Sequence, residues 1–143
     1  MLASGETLRA GTVSGDFNDT HSDDGVFQSI TEQASGGKSS KRYSYLEHRW
    51  SFDVASSQNV VVHANAWSSG SGDGDEFKFE YSVDGGRRWK SMFTVSSTNS
   101  ANEQSFAIPG AQSGTVIIRV IDSNHTAGQL DMDTVFVDHL YLD

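Results

Sequence analysis

The chain has 143 residues, no cysteine and a formal net charge of −9, from 19 acidic and 10 basic residues. This length is typical of one domain that forms a hydrophobic core without disulfide bonds. The acidic balance argues against nucleic acid as a partner, because a phosphate backbone requires a positive surface. No apolar run is long enough to span a membrane, so we expect no membrane insertion.

The first quarter of the chain contains no clear strand before residue 26. Residues 1–11 are polar and mixed, typical of a linker, an added start or a first edge strand, so we expect the domain proper at residues 12–143. The segment Gly15–Gly25 holds four aspartates. It resembles an EF-hand loop but lacks the Glu at the twelfth position and the flanking helices, which excludes an EF-hand. Both a solvated loop and a loop that folds over a cation remain open.

The strands are predicted from short segments in which apolar and polar residues alternate. About nine such strands, with turn signals between them and no helical periodicity, predict an all-β antiparallel β-sandwich of the jelly-roll type. A flexible, locally basic loop at residues 34–42 and a polar turn at residues 56–59 separate the early strands. The predicted strands are Val26–Glu32, Tyr45–Val54, Val60–Trp67, Phe77–Val83, Trp89–Val95, Phe106–Pro109, Val116–Ile121 and Thr134–Leu142.

The turn at residues 84–86 is the strongest hairpin signal in the chain, because glycine accepts the positive φ that a two-residue turn requires. The spacing of Ser82, Asp84, Gly86 and Trp89 resembles the Asp box, a hairpin motif of sialidases and of many secreted non-catalytic domains. Arg88 replaces the usual Thr before the Trp. The resemblance implies an extracellular hairpin whose Asp and Ser tie the turn and whose Trp packs beneath it.

The segment Val60–Trp67 places a polar and aromatic set on the face opposite its small aliphatic residues. A flat aromatic ring lies well against the apolar face of a pyranose, and polar groups then fix the sugar hydroxyls. The alternative is that Trp67 caps the core at the strand end. The candidate carbohydrate-binding residues are Trp67, His63 and Asn65 on this strand, with Arg49, Glu47, Arg119, Tyr43 and Tyr45 from neighbouring segments.

Two further side chains have a structural and an electrostatic interpretation. His48 shares the apolar face of its strand with Trp50, so we expect a hydrogen-bonded core histidine. From residue 120 to the end there are five aspartates and no Lys or Arg. Like charges at close range are costly unless water disperses them or a cation is shared, which favours a hard cation near this end. The alternative is a solvated acidic surface.

The order of motifs resembles the jelly-roll modules of reelin-type and MAM-type repeats. It resembles more closely the accessory, carbohydrate-binding-type domains of secreted bacterial hydrolases, which carry stretches like Asp23–Val26, Leu46–Trp50 and Asp133–His139. The resemblance covers residues from about 12 to 143. It implies a structural calcium held by Asp24, Glu32, Asp133 and Asp138, with Asp19, Asp23, Asp75 and Asp131 in reserve.

These observations predict a non-catalytic carbohydrate-binding module of a secreted polysaccharide-active enzyme, stabilised by structural calcium. Its expected partners are a polysaccharide and the catalytic domain of the parent enzyme. The alternative is an extracellular protein-interaction or adhesion module without a glycan ligand. A groove with isolated aromatic rings would favour a glycan, and a flat apolar patch would favour a protein. Catalysis is not predicted, because nucleophile-elbow, phosphate-loop and zinc-ligand spacings do not occur.

Overall fold

The computed structural model of the chain describes residues 1–70 and 76–143. These residues form ten β-strands and no α-helix, and the antiparallel β-sandwich is confirmed. None of their helices has the length and apolarity that crossing a membrane requires. The strands are β1 (Gly5–Ala10), β2 (Thr12–Ser14), β3 (Gln28–Thr31), β4 (Gln33–Ala34), β5 (Ser44–Tyr45), β6 (Glu47–Ser68), β7 (Phe77–Ser82), β8 (Lys90–Val95), β9 (Glu103–Asp122) and β10 (Thr134–Leu142), and two short 3-10 helices lie at Phe17–Thr20 and Ser39–Lys41.

Two strands are much longer than the sequence predicted. β6 has 22 residues and joins two predicted strands, and β9 has 20 residues and does the same. The predictions of separate strands were wrong because the polar residues 56–59 lie in an irregular stretch of the β6–β9 ladder and not in a turn. Pro109 falls in that stretch, between the registered residues Ile108 and Gln112, where its missing N–H removes no ladder hydrogen bond.

Each long strand passes through both layers of the sandwich. The first half of β6, Glu47–Val54, pairs with β1 and with Gly114–Ile121 of β9, and β7 and β8 extend this front layer. The second half of β6, Val60–Ser68, pairs with β10 and with the first half of β9, and β3 and β2 extend this back layer.

The core lies between the two layers and is formed by the inward residues of the alternating strands. The layers meet directly, since Trp50 Nε1 of the front layer donates to Gln28 Oε1 of the back layer at 2.8 Å. His48 is buried and its Nε2 lies 2.8 Å from Glu6 Oε2, which confirms the prediction of a hydrogen-bonded core histidine. The largest fully buried side chains include Trp50, Phe52, Phe77, Phe79, Ile30, Leu46, Ile118, Leu140 and Leu142.

The β7–β8 connection spans residues 83–89 and is longer than the predicted two-residue turn. Asp84 Oδ1 accepts hydrogen bonds from the backbone N–H groups of Arg87 and Arg88 at 3.1 and 2.9 Å. Ser82 Oγ donates to Asp84 Oδ1 at 2.8 Å and accepts from the Gly86 N–H at 2.9 Å. The Asp and the Ser therefore tie the turn together, as predicted.

The N-terminal residues and the basic loop both take part in pairing. Of the alternatives for residues 1–11, the structure has an edge strand, because β1 pairs with Glu47–Ser51 of β6. The exposed loop at residues 34–42 lies in a small hairpin formed by β4 and β5, which pair with each other.

Candidate functional site

The outward face of the front layer carries a network of two arginines and two glutamates. Arg49 and Arg119 lie directly opposite each other on β6 and β9, and Arg119 lies opposite Glu80 on β7. The Arg49 Nε lies 2.6 Å from Glu47 Oε2, and the Arg119 guanidinium lies 2.7 Å from Glu80 Oε1 and 3.4 Å from Glu47 Oε2. The carboxylates thus fix both guanidinium planes on the sheet surface.

Trp89 lies on this network. Its ring is 4.1 Å from the guanidinium carbon of Arg119 and 4.9 Å from that of Arg49. Both distances are typical of cation–π contacts, which hold the ring flat against the cations. Trp89 is partly exposed, and no other aromatic ring contacts it among the described residues. It therefore offers indole surface to a ligand.

Gly86 permits the close approach of the β7–β8 connection to the arginines. Its φ is +89°, and a Cβ at this position would lie 3.2 Å from Arg49 Nη1 and 3.5 Å from Trp89 Cζ2. A larger residue would be strained by the backbone conformation and would press on both side chains. The turn hydrogen bonds and Gly86 together place Trp89 on its two cations.

A groove of about 370 Å³ runs beside the network on the same face. Pockets that bind ligands have volumes of about 300–1,000 Å³, so the groove has the size of a small ligand or of a few sugar rings. It is lined by polar, aromatic and aliphatic side chains, among them Arg9, Tyr45, Glu47, Arg119, Ile121 and His125.

Three aromatic rings form one end of the groove. Tyr43 stacks on His125 with 4.5 Å between the ring centroids, and Tyr45 meets both rings edge-on. The buried Asp122 contacts His125, with Asp122 Oδ2 3.0 Å from His125 Nε2. Asp122 Oδ1 also accepts a hydrogen bond from the Leu46 N–H at 3.1 Å. The buried carboxylate thus orients the aromatic end against the sheet.

The eight predicted carbohydrate-binding residues do not form one site. Five of them lie on this front face: Tyr43, Tyr45, Glu47, Arg49 and Arg119. The other three belong to the outward face of the back layer, on the second half of β6. Because the core separates the two layers, no single sugar ring contacts both groups.

Of the two alternatives for Trp67, an exposed platform or a buried cap, the structure favours burial. Its exposed fraction is 9%, because Phe27 and Phe136 cover it with ring centroids at 5.1 and 5.5 Å. Phe136 is its partner in the neighbouring strand β10, and Phe27 lies just before β3. Trp67 therefore caps the outer side of the back layer within an aromatic cluster.

Asn65 and His63 border only a small hollow. Asn65 is buried, and its amide donates to Asp23 Oδ1 at 3.1 Å and accepts from the Asn102 N–H at 3.0 Å. His63 stacks on Tyr141 with 4.8 Å between the centroids. The hollow that these residues line measures about 60 Å³. It is too small for a sugar ring, so the front groove is the better candidate.

The four predicted calcium ligands fall into two separate pairs. Asp133 and Asp138 are five positions apart along the chain, about 16 Å of extended backbone, so one ion cannot bind both. Asp138 accepts from the backbone N–H groups of Asp24 and Gly25 at 3.4 and 3.1 Å. Burial raises the pKa of Asp138, and hydrogen bonds from Ser22 and Val26 lower the pKa of Asp24. Two backbone amides thus donate to the Asp138 carboxylate.

The other pair stays together at the end of β3. Glu32 and Asp133 are both buried, and Asp133 N–H donates to Glu32 Oε1 at 3.3 Å while Glu32 N–H donates to the Asp133 carbonyl at 3.0 Å. Both residues carry carboxylate oxygens, the ligand type that a hard cation prefers. Of the reserve ligands, Asp19 caps the first 3-10 helix by accepting from the Asp16 N–H, and Asp75 lies outside the described residues. The described residues contain no group of three or more candidate metal ligands.

Sequence reasoning missed Trp89, His125, Glu80 and Asp122 as members of a functional face. Trp89 was interpreted through the hairpin motif as a packing residue. The available signal was the outward position of Arg49 and Arg119 in their strands, which marks the surface on which the neighbouring hairpin places its Trp.

The sequence matches no protein-family model and no curated protein. The fold is similar to solved structures of carbohydrate-binding modules. One is TmCBM61 in complex with beta-1,4-galactotriose, with a TM-score of 0.55 and 15% identity over 99% of this chain and 90% of that one. Another is a mutant of CBM29-2 complexed with mannohexaose, with a TM-score of 0.53 and 11% identity over 97% of this chain and 80% of that one. At these identities the likeness shows a shared β-sandwich fold.

Proposed function

We propose that the chain is a non-catalytic carbohydrate-binding module whose polysaccharide ligand lies in the front groove and against Trp89. The observation that carries this proposal is the indole of Trp89, fixed on Arg49 and Arg119 beside a groove of about 370 Å³. An aromatic ring held flat by cations is ready to stack on a pyranose without losing side-chain freedom. The fold shared with modules that were solved with galactotriose and mannohexaose supports the same class of ligand.

The polar groups of the face are arranged for recognition and not for catalysis. Glu47 and Glu80 both accept from the Arg119 guanidinium, so each carboxylate is committed to an ion pair. A general acid in glycoside hydrolysis must instead keep its proton for the leaving group, opposite a second carboxylate. The guanidinium edges and Tyr hydroxyls of the face supply donors for sugar oxygens.

Binding to a panel of polysaccharides tests the proposal, with affinity electrophoresis as the screen and calorimetry for any hit. Tyr45 of the groove and Tyr141 of the back layer form a matched pair of partly exposed tyrosines. We expect Tyr45→Ala to weaken binding by about tenfold and Tyr141→Ala to leave it unchanged, since tenfold corresponds to about 1.4 kcal/mol. Equal losses in both variants, or no polysaccharide ligand at all, would refute the front groove as the site.

Structural calcium is a separate part of the proposal. Glu32 and Asp133 are two buried predicted ligands that are hydrogen-bonded to each other, and carboxylate oxygens are the ligands that calcium prefers. A calcium ion there would fasten the end of β3 to the start of β10. Export from the cell and a parent polysaccharide-active enzyme belong to the same proposal and rest on the sequence resemblance.

The competing function is an extracellular protein-interaction module. The observation that favours it is the pair of exposed apolar side chains Val26 and Phe27, 56% and 40% exposed, at the edge of the aromatic cluster on the back layer. Val26→Ser would weaken the binding of a protein partner at this position and would leave glycan binding unchanged.

A further inference from the structure

None of the ten basic residues of this acidic chain lies in a strand of the back layer. The back layer contains none of the ten, either in β2, β3 and β10 or in the Val60–Ser68 and Glu103–Ile108 halves of the long strands. They lie in the front-layer strands, in the β7–β8 connection and in the β4–β5 hairpin: Arg9, Lys38, Lys41, Arg42, Arg49, Lys78, Arg87, Arg88, Lys90 and Arg119.

Eight of these ten side chains are exposed and free of ion pairs. Within residues 1–70 and 76–143, only Arg49 and Arg119 pair with carboxylates. The other eight are exposed, and no carboxylate of the described chain lies within ion-pair distance of them. Arg88 helps to lower the pKa of the Asp84 carboxyl, and Arg42 Nε donates to the Gly37 carbonyl at 2.8 Å, which leaves the other N–H groups of Arg42. The remaining six side chains keep their charge and all their donors for an anionic group of a ligand.

Three of these cations lie at the groove. Arg9 lines it directly. Lys78 lies opposite Ile121 of the groove lining, and side chains so paired have Cβ atoms about 5 Å apart. Arg42 precedes Tyr43, which stacks on His125 at the aromatic end. The aromatic end and one side of the groove therefore carry positive charge.

This placement opposes the net charge of the protein. A chain of charge −9 repels a polyanion on average. The back-layer carboxylates are separated from the groove by the sandwich, whose layers are about 10 Å apart, and charges at such distances are largely screened at about 0.1 M salt. Two carboxylates line the groove itself, but Glu47 is paired with Arg49 and Arg119, and Asp122 lies 3.0 Å from His125. Arg9 has no carboxylate within ion-pair distance in the described part of the chain, so its charge is available to a ligand in the groove.

We propose, on the basis of the function proposed above, that the ligand is an anionic polysaccharide, whose carboxylate or sulfate groups pair with Arg9, Lys78 and Arg42 at the groove. A sugar ring stacks on Trp89 in this arrangement. The Arg49 and Arg119 guanidiniums, which are already paired with glutamates, hold that ring in place and add no net charge.

Pairs of polymers that share a backbone and differ in charge test the inference. Polygalacturonate and its methyl ester form the carboxylate arm, and dextran sulfate and dextran form the sulfate arm. In the arm that binds, we expect the charged polymer to bind at least about tenfold more tightly at about 0.1 M salt, and the gap to close at about 1 M, where the screening length is about 3 Å. Equal binding of both members in each arm, or no binding of either polyanion, overturns the inference.

Variants of equal charge change locate the effect. Lys78→Gln and Ala107→Glu each make the net charge one unit more negative, but Ala107 is exposed on the back layer. We expect Lys78→Gln to weaken binding of the polyanion several-fold and Ala107→Glu to leave this binding unchanged. Equal effects of the two variants overturn the inference. An oligonucleotide bound as tightly as the polysaccharide also overturns it, because charge would then suffice. A neutral galactan that binds while polyanions do not refutes this inference and leaves the proposed function standing.

Discussion

Alanine variants of two tryptophans should separate ligand binding from folding. Trp89 lies partly exposed on two guanidinium groups of the front face, whereas Trp67 is 9% exposed beneath Phe27 and Phe136 on the back layer. We expect Trp89→Ala to lose the polysaccharide while it remains folded. We expect Trp67→Ala to lose stability while it still binds.

The structure gives the magnitude of each effect. The two cation–π contacts of Trp89, at 4.1 and 4.9 Å, contribute about 0.5–1 kcal/mol each, so Trp89→Ala loses about 1–2 kcal/mol of unfolding free energy. This lowers the melting temperature by about 2–8 °C. Truncation of a central interface tryptophan costs about 2 kcal/mol or more, about 30-fold in Kd. Core Trp→Ala changes cost about 3–5 kcal/mol, so Trp67→Ala should melt about 6–20 °C lower.

Calorimetric titration and thermal melts measure the two effects, with the titrations made at a temperature where both variants are folded. Trp89→Phe serves as a further control, because it keeps a ring over the guanidiniums and should retain part of the affinity. The reasoning is refuted if Trp67→Ala weakens binding as much as Trp89→Ala under these conditions. That result would place the ligand on the back layer.

Three other outcomes follow from the structure. Burial lowers the pKa of His48 in the folded protein below its ordinary 6.5, so the unfolded chain binds the proton more readily. The free energy of unfolding is therefore highest above pH 6.5 and falls as the pH drops below it. Urea titrations should show this slope in the wild type and a flatter one in His48→Gln, and equal slopes would contradict the assignment. Gly86→Ala should weaken polysaccharide binding more than Gly85→Ala. Both glycines have positive φ, but a Cβ at Gly86 would lie close to Arg49, whereas a Cβ at Gly85 meets nothing within 4 Å. Equal affinities of the two variants would show that crowding of Arg49 does not affect binding. EDTA should lower the melting temperature and calcium should restore it, by mass action. Glu32→Gln should reduce that shift and Asp24→Asn should not, and a melt indifferent to calcium would remove the ion from the proposal.

The alternation of residues was sufficient to predict which side chains face the core. Trp50 and Phe52 lie inside, and Glu47 and Arg49 lie outside, as their positions in the strand require. The same rule predicts that Trp67 faces outward, which it does. The rule does not predict whether an outward side chain is buried by another part of the chain. Phe27, which lies elsewhere in the sequence, covers Trp67 in this way.

The sequence predicted the types of residue in the site, but it did not predict which of the candidate residues lie together. Arg49 and His63 both point outward from one strand, yet they lie on opposite sides of the molecule because the strand changes layer between Val54 and Val60. A bulge of this kind depends on the partner strand, and the polar residues 56–59 also suit a turn. The predicted calcium set divides for a related reason: Asp133 and Asp138 are close in sequence, but an extended strand keeps them apart.

The passage of β6 and β9 through both layers also bears on how the domain folds. Glu47 pairs with Ile121, about half the chain length away, so the ladder that joins the layers requires a long loop to close before it gains any hydrogen bond. Such pairings fold slowly, in milliseconds to seconds for β-sandwiches. Neither layer is complete without its share of these two strands, so neither has an independent folding step, and the groove and the aromatic cluster disappear together when the ladder opens.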